Sequence, residues 1–350
     1  MEYVETSSTA SPNDSAVAWI AWARLFACYA VIVVHVYSPV SLIGELTPAS
    51  ALFSVLARVC IPVFAILAGY LAYPYLSKPG TWRRCGRYGW PLVRWSVLYL
   101  VWYALRPAVY YDPVNVETMS WKWVVLLITF CAPYYHLWYL CALLITEWVW
   151  RVVNALWPRW DRIPLKGWVA SVFFMMTLGW WGRVLEVQGY QMLLGTWFGI
   201  AVLILPGYII GHCLRAHDVE PKSIPLSWLW LALGWTLTHF SVAYALDLVS
   251  LTRLYGWDTY LNPALLIIAL YGLRTLDRWS STRPLPRWLI GWGEVSFGVY
   301  LIHPLWLDSF ALMMSPVDIP PLGVPVLALL TFATSTLTSD LLRRLCVKKI

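Results

Sequence analysis

The chain has 350 residues, of which 60% are hydrophobic and only 12% charged, with a formal net charge of +7. That balance excludes a soluble globular enzyme and describes a polytopic membrane protein, whose 25 Trp and 21 Tyr suit the interfacial belts of a bilayer. The excess of positive charge, which in a soluble chain points to nucleic acid, is accounted for by membrane topology, and no nucleic-acid partner is expected.

Residues 1–15 are polar and rich in Ser and Thr, with no basic stretch ahead of a short apolar one. They read as a disordered cytoplasmic tail rather than a cleaved signal. The first membrane-length run, 18–39, carries two residues that lipid rejects, Arg24 and His35. Eleven positions at ~100° per residue return them to nearly the same helix face, about 16 Å apart along the axis. A charge buried at this depth costs ~2.5–3.5 kcal/mol, so it is expected to face a protein interior or a wet cavity.

Nine further apolar runs follow, at 51–75, 89–109, 136–156, 167–182, 191–213, 226–247, 259–275, 288–308 and 321–342. Trp123–Ala132 is apolar but short, and Pro133 separates it from the fourth run, which suits an interfacial or re-entrant segment. The fold class is therefore all-α: a polytopic membrane helix bundle of about ten transmembrane helices, with residues 16–345 as a single domain. Lys and Arg cluster at Lys78–Arg87, Arg151–Lys166, Arg215–Lys222, Arg274–Arg287 and Arg343–Lys349, while the alternate connections hold only Arg106, Lys122, Arg183 and Arg253. Eighteen basic residues against four put both termini in the cytoplasm.

This orientation places Arg24 in the inner half of the first span and His35 near its outer end. His136, at the start of the fourth span, and His303, in the ninth, lie at similar outer depth. His212 and His217 are expected to be solvated at an inner loop, and His239 has no partner legible in sequence. The seven cysteines are scattered without metal-ligand spacing and read as reduced packing residues.

Five stretches together resemble the acyltransferase-3 family of membrane O-acyltransferases: Arg24-x10-His35 in the first span, "RVCIPVFAILAGYL" from Arg58, "RRCGRYGWPLVRW" from Arg83, "HLWYLCALLI" from His136 and "SFGVYLIHP" from Ser296. They occur in the family's order and spread from the first span to the ninth, while 160–285 contributes little. Ala68 departs from the pattern, standing where the family commonly has Ser before Gly-Tyr. The stretch matched resembles the stand-alone form, without a periplasmic hydrolase-like domain.

The resemblance implies transfer of an acyl group, usually acetyl from acetyl-CoA, to a hydroxyl of a carbohydrate or lipid-linked sugar, in a bacterial inner (cytoplasmic) membrane. Acyl-CoA is then a substrate, and no resident cofactor or metal is expected. His35 is the candidate general base, since an imidazole with its ordinary pKa of ~6.5 can take the proton of an attacking hydroxyl. Arg24 is the candidate to hold the donor or polarise its thioester carbonyl. Arg84 and Arg87, at i and i+3 on the inner loop, could point at one polyanion, although the positive-inside rule alone also accounts for basic residues there. Ser38 reads as a helix-end residue and not a nucleophile.

Supporting candidates have two readings each. Arg58 and Glu147 suit a structural ion pair or, for Glu147, a proton relay. His136 and Trp138 suit the acceptor mouth, with an interfacial anchor as the alternative for Trp138. His303 suits the acceptor side or a core histidine bonded to a backbone carbonyl, and Glu294 a solvated charge at a helix start. A proton-coupled secondary transporter of a small polar or sugar-like substrate is the alternative function, because intramembrane Arg, Glu and His also serve such carriers. The two halves of the chain, however, show no repeat symmetry.

Overall fold

The structure is a computed structural model that describes residues 12–43, 56–75, 82–105, 136–157, 160, 163–187, 196–217, 225–246, 262–282, 286–313 and 323–347. Hydrocarbon offers the backbone no hydrogen-bond partner, so a spanning segment must satisfy its own amides as a helix. Among the described residues there are ten α-helices, one on each expected apolar run. They are α1 Pro12–Ile43, α2 Cys60–Ala72 with a 3-10 turn at Tyr73–Tyr75, α3 Trp82–Leu105, α4 Trp138–Leu156 and α5 Leu165–Val187. The rest are α6 Thr196–Ala216, α7 Leu226–Ala245, α8 Pro263–Thr282, α9 Arg287–Met313 and α10 Gly323–Val347.

Three of these helices hold stretches that by length and composition can cross a membrane: Ala18–Val36, Trp138–Leu156 and Val324–Leu345. The protein is an all-α integral membrane bundle. Trp123–Ala132 and most of the expected tail lie outside the described residues; α1 itself begins at Pro12.

Helix α1 is the centre of the bundle, packing against α2, α8, α9 and α10. That explains why its apolar residues are buried on nearly every face, from Ala23 and Ala27 to Ile32 and Val33. By contrast, α3 and α7 turn Trp90, Val97, Val101, Trp230, Leu231 and Leu237 outward, a pattern suited to lipid.

Helices α2 and α6 pack backbone to backbone. A Cβ built on Gly69 would stand 1.9 Å from the Tyr208 carbonyl oxygen, and one on Gly211 1.9 Å from that of Ile66. Gly207 and Gly211 form a Gly-x-x-x-Gly stripe on α6, the pattern that lets two membrane helices approach backbone to backbone. The His212 ring caps this contact, with Nδ1 3.2 Å from the Gly69 carbonyl.

Candidate functional site

The site begins with a proline. Pro304 lies inside α9 and has no N–H, so the Tyr300 carbonyl four residues earlier loses its helical donor. His303 takes over that bond, with Nδ1 2.7 Å from the Tyr300 oxygen. Since a carbonyl only accepts, Nδ1 carries the proton and Nε2 presents a bare lone pair. His303 is 0% exposed, and its Nε2 has no hydrogen-bond partner among the described residues. An acceptor left this way costs about 1–3 kcal/mol, unless something supplies a donor.

Two more imidazoles meet this ring. His35 of α1 stacks on His303 with centroids 5.4 Å apart, and His136, just ahead of α4, meets it edge-on at 5.4 Å. Tyr99 of α3 packs on His136 at 4.9 Å and donates its hydroxyl to the Leu301 carbonyl at 2.6 Å. The Tyr300 hydroxyl donates to the His136 carbonyl. Four helices or their ends thus clamp three histidines that stand far apart in sequence. The rings meet face and edge, and among the described residues no group of His, Cys, Asp or Glu is arranged to hold a metal ion.

A cavity of about 270 Å³ lies below the imidazoles on the Arg24 side, bounded by Arg24, Arg87, Tyr88 and Glu294 at one end and by Phe64, Tyr139 and Tyr300 at the other. A smaller cavity of about 210 Å³ shares Arg24, Leu71 and Glu294 with it. Arg24 is half-buried and takes part in none of the ion pairs among the described residues. Glu294 sits two turns into α9, not at its start, and binds Arg343 at 2.7 Å while 64% exposed. Ala68 lines the same cavity, so the hydroxyl missing relative to the family pattern is one that would face it.

The remaining candidates divide by depth. Arg58 lies within electrostatic reach of His35 and Cys60, at the imidazole end. Glu147 is 1% exposed and takes Arg151, one turn further along α4, as ion-pair partner at 3.4 Å. It stands eleven residues, about 16 Å, from His136, toward the opposite end of α4. Trp138 is half-buried and packs edge-on against Tyr139 at 6.1 Å. Arg84 and Arg87 both belong to α3, so their helical spacing holds, and Arg87 lines the cavity; the Arg84 side chain and that of Ser38 lie outside the described residues.

His212 corrects the sequence reading. It is 0% exposed and boxed by Tyr73, Trp150, Trp160 and Tyr208, with ring centroids 5.1–6.0 Å away. Hydropathy alone put it near a loop; the close approach of α6 to α2 drew it inside. Cys28, Cys60, Cys141 and Cys213 are buried free thiols, as expected of packing residues.

The family model described as an acyltransferase domain, Acyl_transf_3, matches residues 17–342 of this chain. The chain belongs to the acyltransferase-3 family. No curated protein and no solved structure gives a significant match. The match spans every stretch that assembles this site, from Arg24 and His35 on α1 to Tyr300 and His303 on α9. Membership makes this protein a membrane-embedded acyltransferase.

Sequence reasoning missed several residues of the candidate site. Phe64, Tyr88, Tyr139 and Tyr300 line the cavity, and all four sit inside stretches that carried the resemblance. Tyr300 had one usable signal, since a His-Pro pair on a helix frees the carbonyl four residues before the proline. Asp308, buried and accepting from the Trp102 indole nitrogen at 2.9 Å, gave no signal beyond being an acid within an apolar run.

Proposed function

We propose that the protein moves an acyl group, acetyl in the first instance, from cytoplasmic acyl-CoA to a hydroxyl of a carbohydrate or lipid-linked sugar. The observation that carries this reading is the cavity that runs from the Arg24 guanidinium, which has no carboxylate partner among the described residues, to a wall of rings touching buried imidazoles. A half-buried cation in a membrane interior calls for an anion, and a bare Nε2 calls for an O–H donor. Acyl-CoA and an alcohol supply one each.

Arg24 and Arg87, with Arg84 three positions before Arg87 on α3, hold the donor's phosphates and upper arm at the cytoplasmic end. About 16 Å of α1 separates Arg24 from His35, which favours an anchoring role for Arg24 over contact with the thioester carbonyl. A cavity of about 270 Å³ falls below the ~300–1,000 Å³ that swallows a whole drug-sized ligand, so it admits a linear arm and leaves the nucleotide at the mouth. At the far end the acceptor oxygen, reaching the thioester from the imidazole side of the ring wall, attacks its carbon while its proton passes to the His35 imidazole. The carbon–sulfur bond then breaks, and the leaving thiolate takes the proton back from the imidazolium. His303 Nε2 accepts a hydrogen bond from the acceptor, with His136 and Trp138 on the same side. Arg58 stands near enough to His35 to act on its charge, while Glu147 is a structural charge held by Arg151.

The same reading has all ten helices crossing the bilayer, with both termini cytoplasmic and residues 16–345 forming one domain of a bacterial inner-membrane enzyme. The direction of the chain supports it: α1, α3 and α9 run from the arginine end to the imidazole end, while α2 and α4 run back. Among these five, neighbours in the chain run in opposite directions, as successive crossings require.

Binding of acetyl-CoA by the purified full chain tests this. Wild type is expected to bind, and Arg24→Ala and Arg87→Ala each to weaken the Kd by about 10–100-fold, the range for loss of a charge-assisted hydrogen bond. A wild-type protein that binds no acyl-CoA and releases no CoA from any donor would sink the reading and favour a proton-coupled carrier.

A further inference from the structure

Three aromatic rings separate the cavity from the imidazoles. Phe64 of α2, Tyr139 of α4 and Tyr300 of α9 are in mutual contact, with centroids 5.9 Å apart for Phe64–Tyr139, 6.5 Å for Phe64–Tyr300 and 5.9 Å for Tyr139–Tyr300. All three line the cavity at its far end. On the opposite side the Tyr300 ring touches His136 at 5.4 Å and His303 at 6.1 Å. The space beyond the triangle is already filled by stacked imidazoles and by Tyr99.

The three rings differ in how they are held. Tyr300 is fixed by its hydroxyl on the His136 carbonyl, and the Tyr139 backbone N–H reaches the same carbonyl at 3.4 Å. Both tyrosines are buried. Phe64 is half-buried and has no polar atom to tether its ring, so it is the member that yields when something enters. Its backbone does not yield, because α2 is locked against α6 through Gly69 and Gly211.

We infer that Phe64, Tyr139 and Tyr300 form an acyl-length gauge that restricts the donor to a short acyl group, acetyl above all. This rests on the acyltransferase reading and deepens it by assigning the residues that limit donor length. A thioester brought up the cavity presents its acyl group to this triangle. A methyl group is accommodated by a small displacement of Phe64. Each further methylene must push Tyr300, tethered through its hydroxyl, or the buried Tyr139, or enter packed imidazoles, and one methylene misfitted in an apolar pocket changes selectivity by about 10–200-fold.

The test is CoA thiol release by the full-length protein from acetyl-, butyryl- and octanoyl-CoA, compared in wild type, Phe64→Ala and Phe64→Leu. Wild type is expected to favour acetyl-CoA over butyryl-CoA by at least about 100-fold in kcat/KM, two methylenes' worth. Phe64→Ala should bring that ratio below about 10 by raising the rate with the longer donors. The ratio is internal to each variant, so a drop in folded protein leaves it unchanged, and Phe64→Leu decides the matter if the alanine variant is inactive. Equal use of all three donors by wild type, or a ratio that neither variant changes, overturns the gauge while leaving the acyltransferase reading intact. Absence of thiol release from every donor by wild type removes that reading and the gauge with it.

Discussion

His35→Ala is expected to lower acyl transfer by about 10²–10⁴-fold, the range for loss of a positioned general base, while acyl-CoA binding stays within a few-fold of wild type. The separation follows from the geometry. His35 stacks on His303 at the far side of the aromatic wall, whereas the cationic residues that would grip the donor line the opposite end of the cavity. A variant that loses both binding and turnover would show His35 to be a packing residue of α1. A variant that keeps full turnover would move the base to His303, whose Nε2 is the neighbouring lone pair. Direct binding of acetyl-CoA alongside single-turnover CoA release checks both halves of the expectation.

Gly211→Val is expected to cost about 3 kcal/mol or more and to abolish monodisperse protein in detergent. Helix propensity argues the other way, since most side chains favour a helix over glycine by up to about 1 kcal/mol. Packing wins because the new Cβ would sit 1.9 Å from the Ile66 carbonyl oxygen and 2.9 Å from the Tyr70 backbone nitrogen, neither of which can rotate away. Gly234→Val on α7 is the control, because a Cβ there meets nothing within 4 Å. Thermal unfolding of the two variants should differ sharply. Equal melting temperatures would mean that α2 and α6 do not approach this closely.

How far the site was legible can be judged residue by residue. Arg24 and His35 stood out because lipid penalises polar groups, so their presence in an apolar run already required an interior with something to meet them. Their shared face followed from helical periodicity. That His136 and His303 lie at the depth of His35 followed from counting basic residues in loops. That Glu147 takes Arg151 was not legible, because opposite charges at i and i+4 compete with distant partners. The burial of His212 was illegible for a related reason: hydropathy reports where along the bilayer normal a residue lies, not which way it faces.

The amino-acid sequence by itself determined that this is an integral membrane all-α protein, which runs form its helices, and the family to which it belongs. Those properties follow from the cost of unpaired backbone and charge in hydrocarbon, which each segment meets alone. Only the tertiary structure decided that α1 is central, that α2 and α6 touch through glycines, and that Phe64, Tyr139 and Tyr300 wall the cavity from the imidazoles. Inside a bilayer one apolar helix face is as well solvated as another. Which faces meet is therefore set by side-chain shape and close backbone approach, properties of pairs of helices and not of any one segment.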